Sequence, residues 1–221
     1  ERDNILLKIS DYISQDYKGK IIKDLFGRFG IRDLFIDRIA NEIYASIFVD
    51  VTGDGCYGMG IFKSDLNNFL NLNNPDKKLI FKSFFKTENC NRDFNGHASG
   101  GRIAKMNDKI IFTIGSLDLN LYQNKQTPSL ITQNKNNAIG KVISIDKSGE
   151  FEVLSLGHRN QQGLVIIEDK IIISEHGPKG GDEINLIKDS NHYGWPYYSY
   201  GVNYKNENIY RKPHEGIYAK P

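Results

Sequence analysis

Two short polar loops hold most of the side chains in this sequence whose types could do chemistry. His158, Arg159 and Asn160 follow Gly157 in GHRN, and Glu175, His176, Gly177 and Pro178 stand together in SEHGPKGG. A histidine takes and returns a proton near neutral pH, and a guanidinium stabilises negative charge as it develops. An amide orients oxygens by hydrogen bonds, and carbonyls on a tight turn suit a hard cation such as calcium. A third loop, NGHASGGR, adds His97.

Such residues act together only if the chain brings the loops to one place. The runs Leu164 to Ile167 and Lys170 to Ser174 are β-branched and separated only by Glu168 and Asp169, which predicts a tight hairpin. The entry of its first strand and the exit of its second lie at the same end. The GHRN loop therefore sits beside the EHGP loop.

The same grammar occurs three times. A glycine, an apolar run, a polar turn pair and a second run appear around Asn41-Glu42, Asn107-Asp108 and Glu168-Asp169, with the cores NEIY, DKII and DKII spaced by roughly sixty-odd residues. Further strand candidates run from Leu79 to Phe85, Gly140 to Asp146 and Phe151 to Leu156. Several short strands per repeat with Gly and Asn turns predict an all-β propeller rather than a solenoid. Propellers close with about four to eight blades. At this period the chain makes between three and four, so it is a partial propeller or the period differs. The segment Ser64 to Leu72 reads either as a short helix with a serine cap or as a loop between outer strands.

If the repeats are blades, the segments before each inner strand face one rim. These are GRF with Arg28, NGHAS with His97, and GHRNQQ with His158, Arg159 and Asn160. The exits GSLD from Gly115 and EHGPKGG from Glu175 return to that rim, making a polar, glycine-rich mouth for a ligand.

Composition narrows the class. The 221 residues are 39% hydrophobic, enough for one sizeable core, and a net charge of +2 lacks the basic excess of a nucleic-acid binder. No apolar run approaches the roughly 18 residues of a membrane span, and ERDNILLKIS lacks the apolar core of a signal peptide. The sequence starts without Met and reads as a mature or truncated piece. Cys56 and Cys90 form either one disulfide or two buried thiols.

Five blocks occur in order: HASGGRIAKMNDKIIFTIG, GKVISID, GHRNQQGL, SEHGPKGGDEINLI and NHYGWPYYSYGVNY. Together they resemble the soluble pyrroloquinoline-quinone (PQQ)-dependent aldose sugar dehydrogenases, or glucose/sorbosone dehydrogenases, most firmly over residues 95–204. The resemblance implies a six-bladed propeller with the quinone and a calcium ion at one end of the central channel, residues 1–221 forming one partial propeller.

It further implies that His97 takes the proton of the sugar's anomeric hydroxyl, and that Arg159 and Asn160 lie against the quinone. The carbonyls of Gly177 and Pro178 would coordinate calcium. Asp182 and Glu183 read as turn-capping residues, and Tyr193 and Trp195 as packing residues. The pattern departs at Ser116, where the family carries an aspartate, with Asp118 two residues on. It departs also at Gly96 and Gln161, and the family's basic residues that clamp the quinone carboxylates lie beyond Pro221.

The reading is a quinoprotein that oxidises an aldose to a lactone and passes electrons to an external acceptor. The compartment implied is periplasmic or secreted, and a homodimer is left open. The alternative is a non-catalytic calcium-binding propeller that holds carbohydrate or protein at its rim. A calcium-dependent lactonase on a similar propeller ranks third, because the rim is rich in His, Arg and Asn rather than carboxylates.

Overall fold

The structure, a computed structural model, describes residues 30–70, 80–92, 96–117, 130–202, 204 and 208–210. Arg28, Leu79, Asp118 and positions 71 and 72 of the helix candidate lie outside them.

Strands β1 (Ile31–Asp37), β2 (Glu42–Asp50), β3 (Tyr57–Asp65) and β4 (Lys82–Lys86) form an antiparallel meander in that order. A second meander comprises β5 (Gly100–Met106), β6 (Lys109–Ile114), β7 (Lys141–Ile145) and β8 (Phe151–Leu156). A third begins with β9 (Gln161–Ile167), β10 (Lys170–Glu175) and β11 (Glu183–Ile187). The first strands start at Ile31, Gly100 and Gln161, steps of 69 and 61 residues. β5 lies against both β1 and β9, so the three first strands are the inner strands of three successive blades. This is a partial β-propeller.

The turns follow from their residues. Glu168 and Asp169 have φ of 47° and 64°, the two left-handed positions of a type I′ hairpin, and Lys170 pairs with Ile167 across them. In the first blade the loop is longer than the Asn41-Glu42 pair. It spans residues 38–41, because Asp37 Oδ1 accepts the N–H groups of Ile39 and Ala40 (both 3.0 Å), and Glu42 already belongs to β2. The helix candidate folds as α1 (Leu66–Leu70), capped by Asp65 rather than Ser64: Asp65 Oδ1 accepts the Asn68 N–H at 3.0 Å, while Ser64 pairs with Ile43 inside β3.

Packing between blades explains why β6 is apolar on successive residues. Ile110, Phe112 and Ile114 face the first blade, joining Tyr44, Phe48, Met59 and Ile61. Ile111 faces the third, joining Ile171 and Ile173. A strand sandwiched between two sheets has no wet face and loses its alternation. Phe85 meets Phe112 and Phe151 edge-on, with centroids 6.1 and 5.8 Å apart. Two further devices were not visible in the repeat. β12 (Asn191–His192) adds to the outer edge of the second blade, parallel to β8, and β13 (Tyr198–Val202) pairs with β14 (Asn208–Tyr210).

Cys56 and Cys90 form a disulfide across 34 residues, tying the start of β3 to the segment after β4. A cross-link closing a loop of that length chiefly restricts the unfolded chain. Replacing both cysteines with alanine is expected to remove about 2–4 kcal/mol of stability. The denaturation midpoint of the double variant, compared with the disulfide-bonded parent protein, measures it.

Candidate functional site

Backbone hydrogen bonds stitch the rim together. The N–H groups of Gly115 and Leu117 donate to the carbonyls of Ser99 and Ala98 (2.9 and 2.8 Å), and that of Ser116 donates to the Arg159 carbonyl (2.8 Å). The His176 N–H donates to the Asn160 carbonyl at 3.0 Å. The NGHAS, GSL, GHRN and EHGP loops thus form one surface, as the hairpin arrangement predicts. Gly115 is where two of them converge: a Cβ there would lie 2.1 Å from the Ala98 carbonyl oxygen and 2.7 Å from that of Arg159. Only glycine fits against backbone held this closely.

Arg159 is almost buried, at 8% exposure, and both terminal nitrogens of its guanidinium are engaged. Nη1 donates to the carbonyls of His176 (3.1 Å) and Gly177 (2.8 Å), Nη2 donates to the Tyr204 hydroxyl (3.3 Å), and the group lies 5.4 Å above the Trp195 ring. The cleft behind it encloses about 10 Å³, room for roughly one water. Any larger ligand at this rim lies on the open side of Arg159.

Beneath it a buried relay joins His158 and Glu175, both singled out in the sequence, to Ser155, which is not. Glu175 Oε2 bonds His158 Nδ1 at 2.7 Å, Glu175 Oε1 accepts the Arg159 N–H, and Ser155 Oγ meets His158 Nε2 at 2.8 Å. Ser, His and Glu in this order suggest a hydrolytic triad, but Ser155 and His158 are 0% exposed and Tyr193 stacks on the imidazole at 4.8 Å. No substrate reaches that hydroxyl. The relay fixes the peptide from which Arg159 projects.

His97 is exposed, on a loop bent by left-handed residues at Gly96 (φ 89°) and Ala98 (φ 48°). The first blade holds this loop: Arg32 Nη2 donates to the Gly96 carbonyl at 3.0 Å, with the guanidinium 4.5 Å over the Phe48 ring. Arg102, in the GGR block, links all three inner strands. It donates to the Gln162 carbonyl (2.6 Å), the Arg32 carbonyl (3.2 Å) and Asp33 Oδ1 (3.3 Å). Asn160 Oδ1 accepts the Gly100 N–H at 3.2 Å, joining the GHRN loop to the start of β5. Ser116, which stands where the resemblance expects an aspartate, is 1% exposed, and its hydroxyl meets no partner among the described residues.

Asp182 caps its turn as expected, accepting the Gly177 N–H (3.0 Å) and bonding His176 Nδ1 (3.1 Å). Burial and the Glu175 charge push the Glu183 carboxyl up to about 7. Lys141 is wholly buried, with no carboxylate in contact among the described residues. Its ammonium donates to the carbonyls of Ile139 (2.6 Å), Thr132 (2.8 Å) and Ile131 (3.4 Å). Those carbonyls belong to a segment whose Gln133 donates to the Trp195 carbonyl at 2.5 Å, so Lys141 underpins the floor of the Arg159 site.

Burial pushes the Lys141 amine down to about 7, whereas the unfolded chain keeps it near its ordinary 10.5. Between these values the unfolded state binds the extra proton, so stability rises with pH from about 7 to about 10.5. Denaturation midpoints at pH 7 and 9.5 should show the rise, and Lys141→Met should abolish it.

Among the described residues no group of three or more His, Cys, Asp or Glu side chains could hold a metal ion. The Gly177 carbonyl carries the Arg159 guanidinium at 2.8 Å, and Pro178 is buried beside it. As arranged, this pair does not fit a calcium ion with Arg159 in place. The rim does fit an anionic aromatic quinone in kind, offering a cation, an amide and an exposed imidazole on glycine-rich backbone.

The blades and this one-sided polar mouth define a partial β-propeller with its polar loops gathered at one rim. The sequence profile described as Glucose / Sorbosone dehydrogenase matches residues 68–221. The chain belongs to that family. It is 27% identical over 182 residues to the aldose sugar dehydrogenase YliI of Escherichia coli, covering 75% of this chain and 44% of that protein. It is 33% identical over 123 residues to the quinoprotein glucose dehydrogenase B of Acinetobacter calcoaceticus, covering 45% and 26%.

The fold matches the soluble aldose sugar dehydrogenase of Escherichia coli in its apo-form with a TM-score of 0.66 and 22% identity, over 83% of this chain and 54% of the other. For the PQQ-bound aldose sugar dehydrogenase of Streptomyces coelicolor the values are 0.60 and 20%, over 84% and 53%. The chain spans about half the length of these solved structures and less than half of the curated relatives.

Proposed function

We propose that this protein is a quinoprotein sugar dehydrogenase that oxidises an aldose at its anomeric carbon to a lactone. The observation that carries the reading is the convergence of the His97 and Arg159 loops on one rim through the Ser116 and Leu117 N–H groups. Family membership and the quinoprotein named among the relatives support it.

PQQ, when bound, supplies the hydride-accepting chemistry and hands electrons to an external acceptor. His97 takes the anomeric hydroxyl proton, so that the C1–O bond can become the lactone carbonyl. Arg159 presents fixed positive charge toward negative charge developing on the ligand side, and Asn160 sets the spacing between that charge and β5. Calcium, the second cofactor that the resemblance implies, does not fit at Gly177 and Pro178 while the Arg159 guanidinium holds the Gly177 carbonyl. The Cys56–Cys90 disulfide supports a periplasmic or secreted location. No helix among the described residues is long and apolar enough to cross a membrane.

Dye-linked oxidation of a panel of aldoses by the whole protein, with and without added PQQ and calcium, tests the reading. Turnover that depends on PQQ is the expected result. PQQ binding without oxidation of any sugar would favour the non-catalytic propeller, for which the buried Ser116 hydroxyl is the specific indication.

A further inference from the structure

An aromatic arm beside Arg159 has no part in the proposed chemistry. β13 carries Tyr198 and Tyr200, two residues apart, with their rings edge-on and centroids 5.1 Å from each other, and Tyr204 follows. Tyr198 lines the cleft behind Arg159, and the Tyr204 hydroxyl accepts from Arg159 Nη2 at 3.3 Å. The outer two rings are open, Tyr200 being 51% exposed and Tyr204 66%. Aromatic side chains ordinarily bury their area, so two left open together at the edge of a ligand rim mark a surface with an occupant.

Backbone alone fixes the arm to the EHGPKGG loop. The Val202 N–H donates to the Lys179 carbonyl at 3.1 Å, a Cβ on Gly181 would lie 2.1 Å from the Gly201 nitrogen, and one on Gly201 would lie 2.2 Å from the Gly180 carbonyl oxygen. Only glycine permits so close an approach, and the rings keep a set position beside that loop. His176 and Asp182 stand exposed on it and offer hydrogen-bonding groups next to the rings. A sugar ring has a C–H face that stacks on an aromatic ring and a girdle of hydroxyls that needs donors and acceptors. Phenol rings beside an imidazole and a carboxylate suit both, whereas an apolar partner would strand the polar groups.

We propose that Tyr200 and Tyr204 form a stacking subsite for a second sugar ring, so that the protein takes the reducing end of an oligosaccharide in preference to a free monosaccharide. The inference rests on the dehydrogenase reading given above, with the reducing-end ring at the open side of Arg159 and the next ring on the arm. Tyr200 is then a specificity-determining residue. The test is steady-state oxidation of glucose, maltose, maltotriose, cellobiose and cellotriose by the whole protein loaded with PQQ, for the parent, Tyr200→Ala and Tyr200→Phe, which keeps the ring. Calorimetry of the quinone-free protein with the same sugars reads binding apart from turnover, and thermal melts establish that each variant is folded.

The expected result is a kcat/KM about three- to tenfold higher for a longer sugar than for glucose, carried by KM. Tyr200→Ala loses that gain, Tyr200→Phe keeps it, and glucose kinetics are unchanged in both. Equal kcat/KM for glucose and every longer sugar, or a gain that survives Tyr200→Ala, overturns the subsite while leaving the dehydrogenase standing. If no sugar is oxidised, the dehydrogenase reading fails and calorimetry decides the subsite. Oligosaccharide binding that is tighter than glucose binding and weakened in Tyr200→Ala upholds it, and absence of that difference overturns it.

Discussion

Replacing Glu175 with leucine is expected to cost about 3–5 kcal/mol of stability, because it strands two buried donors at once. The Arg159 N–H and His158 Nδ1 both bond to that carboxylate, in a place where Ser155 and His158 are wholly buried and Glu175 itself is 8% exposed. Both donors lose their acceptor, and the leucine has none to offer. Glu175→Gln retains one acceptor oxygen and is expected to lose about 1–2 kcal/mol, the difference of one interior hydrogen bond. Urea denaturation midpoints of the two variants separate the cases. A leucine variant no less stable than the glutamine variant would show that the relay does not hold the GHRN loop.

His97→Ala is expected to behave in the opposite way. The side chain is exposed and outside the apolar clusters, so the fold should change by no more than about 1 kcal/mol. If His97 takes the anomeric proton, kcat should fall by about 10²–10⁴ with little change in KM, since the loss is of proton transfer rather than of sugar binding. Steady-state kinetics on the best aldose of the panel, beside a thermal melt, check both halves. An unchanged kcat would remove His97 from the chemistry, and attention would pass to the region after Leu117.

The parts of this fold that are legible in the sequence are local. Glu168-Asp169 between two β-branched runs fixes a hairpin because the turn needs two left-handed residues and the runs suit a pleated surface. One hairpin repeated three times then places the loops of His97, Arg159 and Gly177 on one side, whatever closes the ring. The parts that are not legible depend on where a side chain goes after its backbone is placed. Arg159 reads as a ligand-facing charge, yet its guanidinium runs to carbonyls 17 and 18 residues along the chain. Nothing in the spacing of GHRN encodes that direction.

Glu175 reads as part of the polar EHGP loop, and nothing in its spacing shows that it is buried. It is buried because the turn at Tyr193 and Trp195 folds back over it, from a segment that carries its own glycine and proline signals. Lys141 follows a glycine at the start of an apolar run, where a lysine ordinarily marks solvent. Here three carbonyls of an irregular segment wrap it, and irregular segments have no period to read. The parallel addition of β12 to the second blade joins residues 36 positions apart and leaves no pattern in either strand.

If the proposed function holds, this rim carries a quinone within reach of a sugar's anomeric carbon. The most direct test is a single-turnover experiment: the whole protein is loaded with PQQ, an aldose is added with no external electron acceptor, and the cofactor absorbance is followed. The expected result is conversion of the bound quinone to its reduced spectrum in one phase, with one lactone formed per quinone and a rate that collapses in His97→Ala. A quinone that binds yet keeps its oxidised spectrum across the whole aldose panel would contradict it.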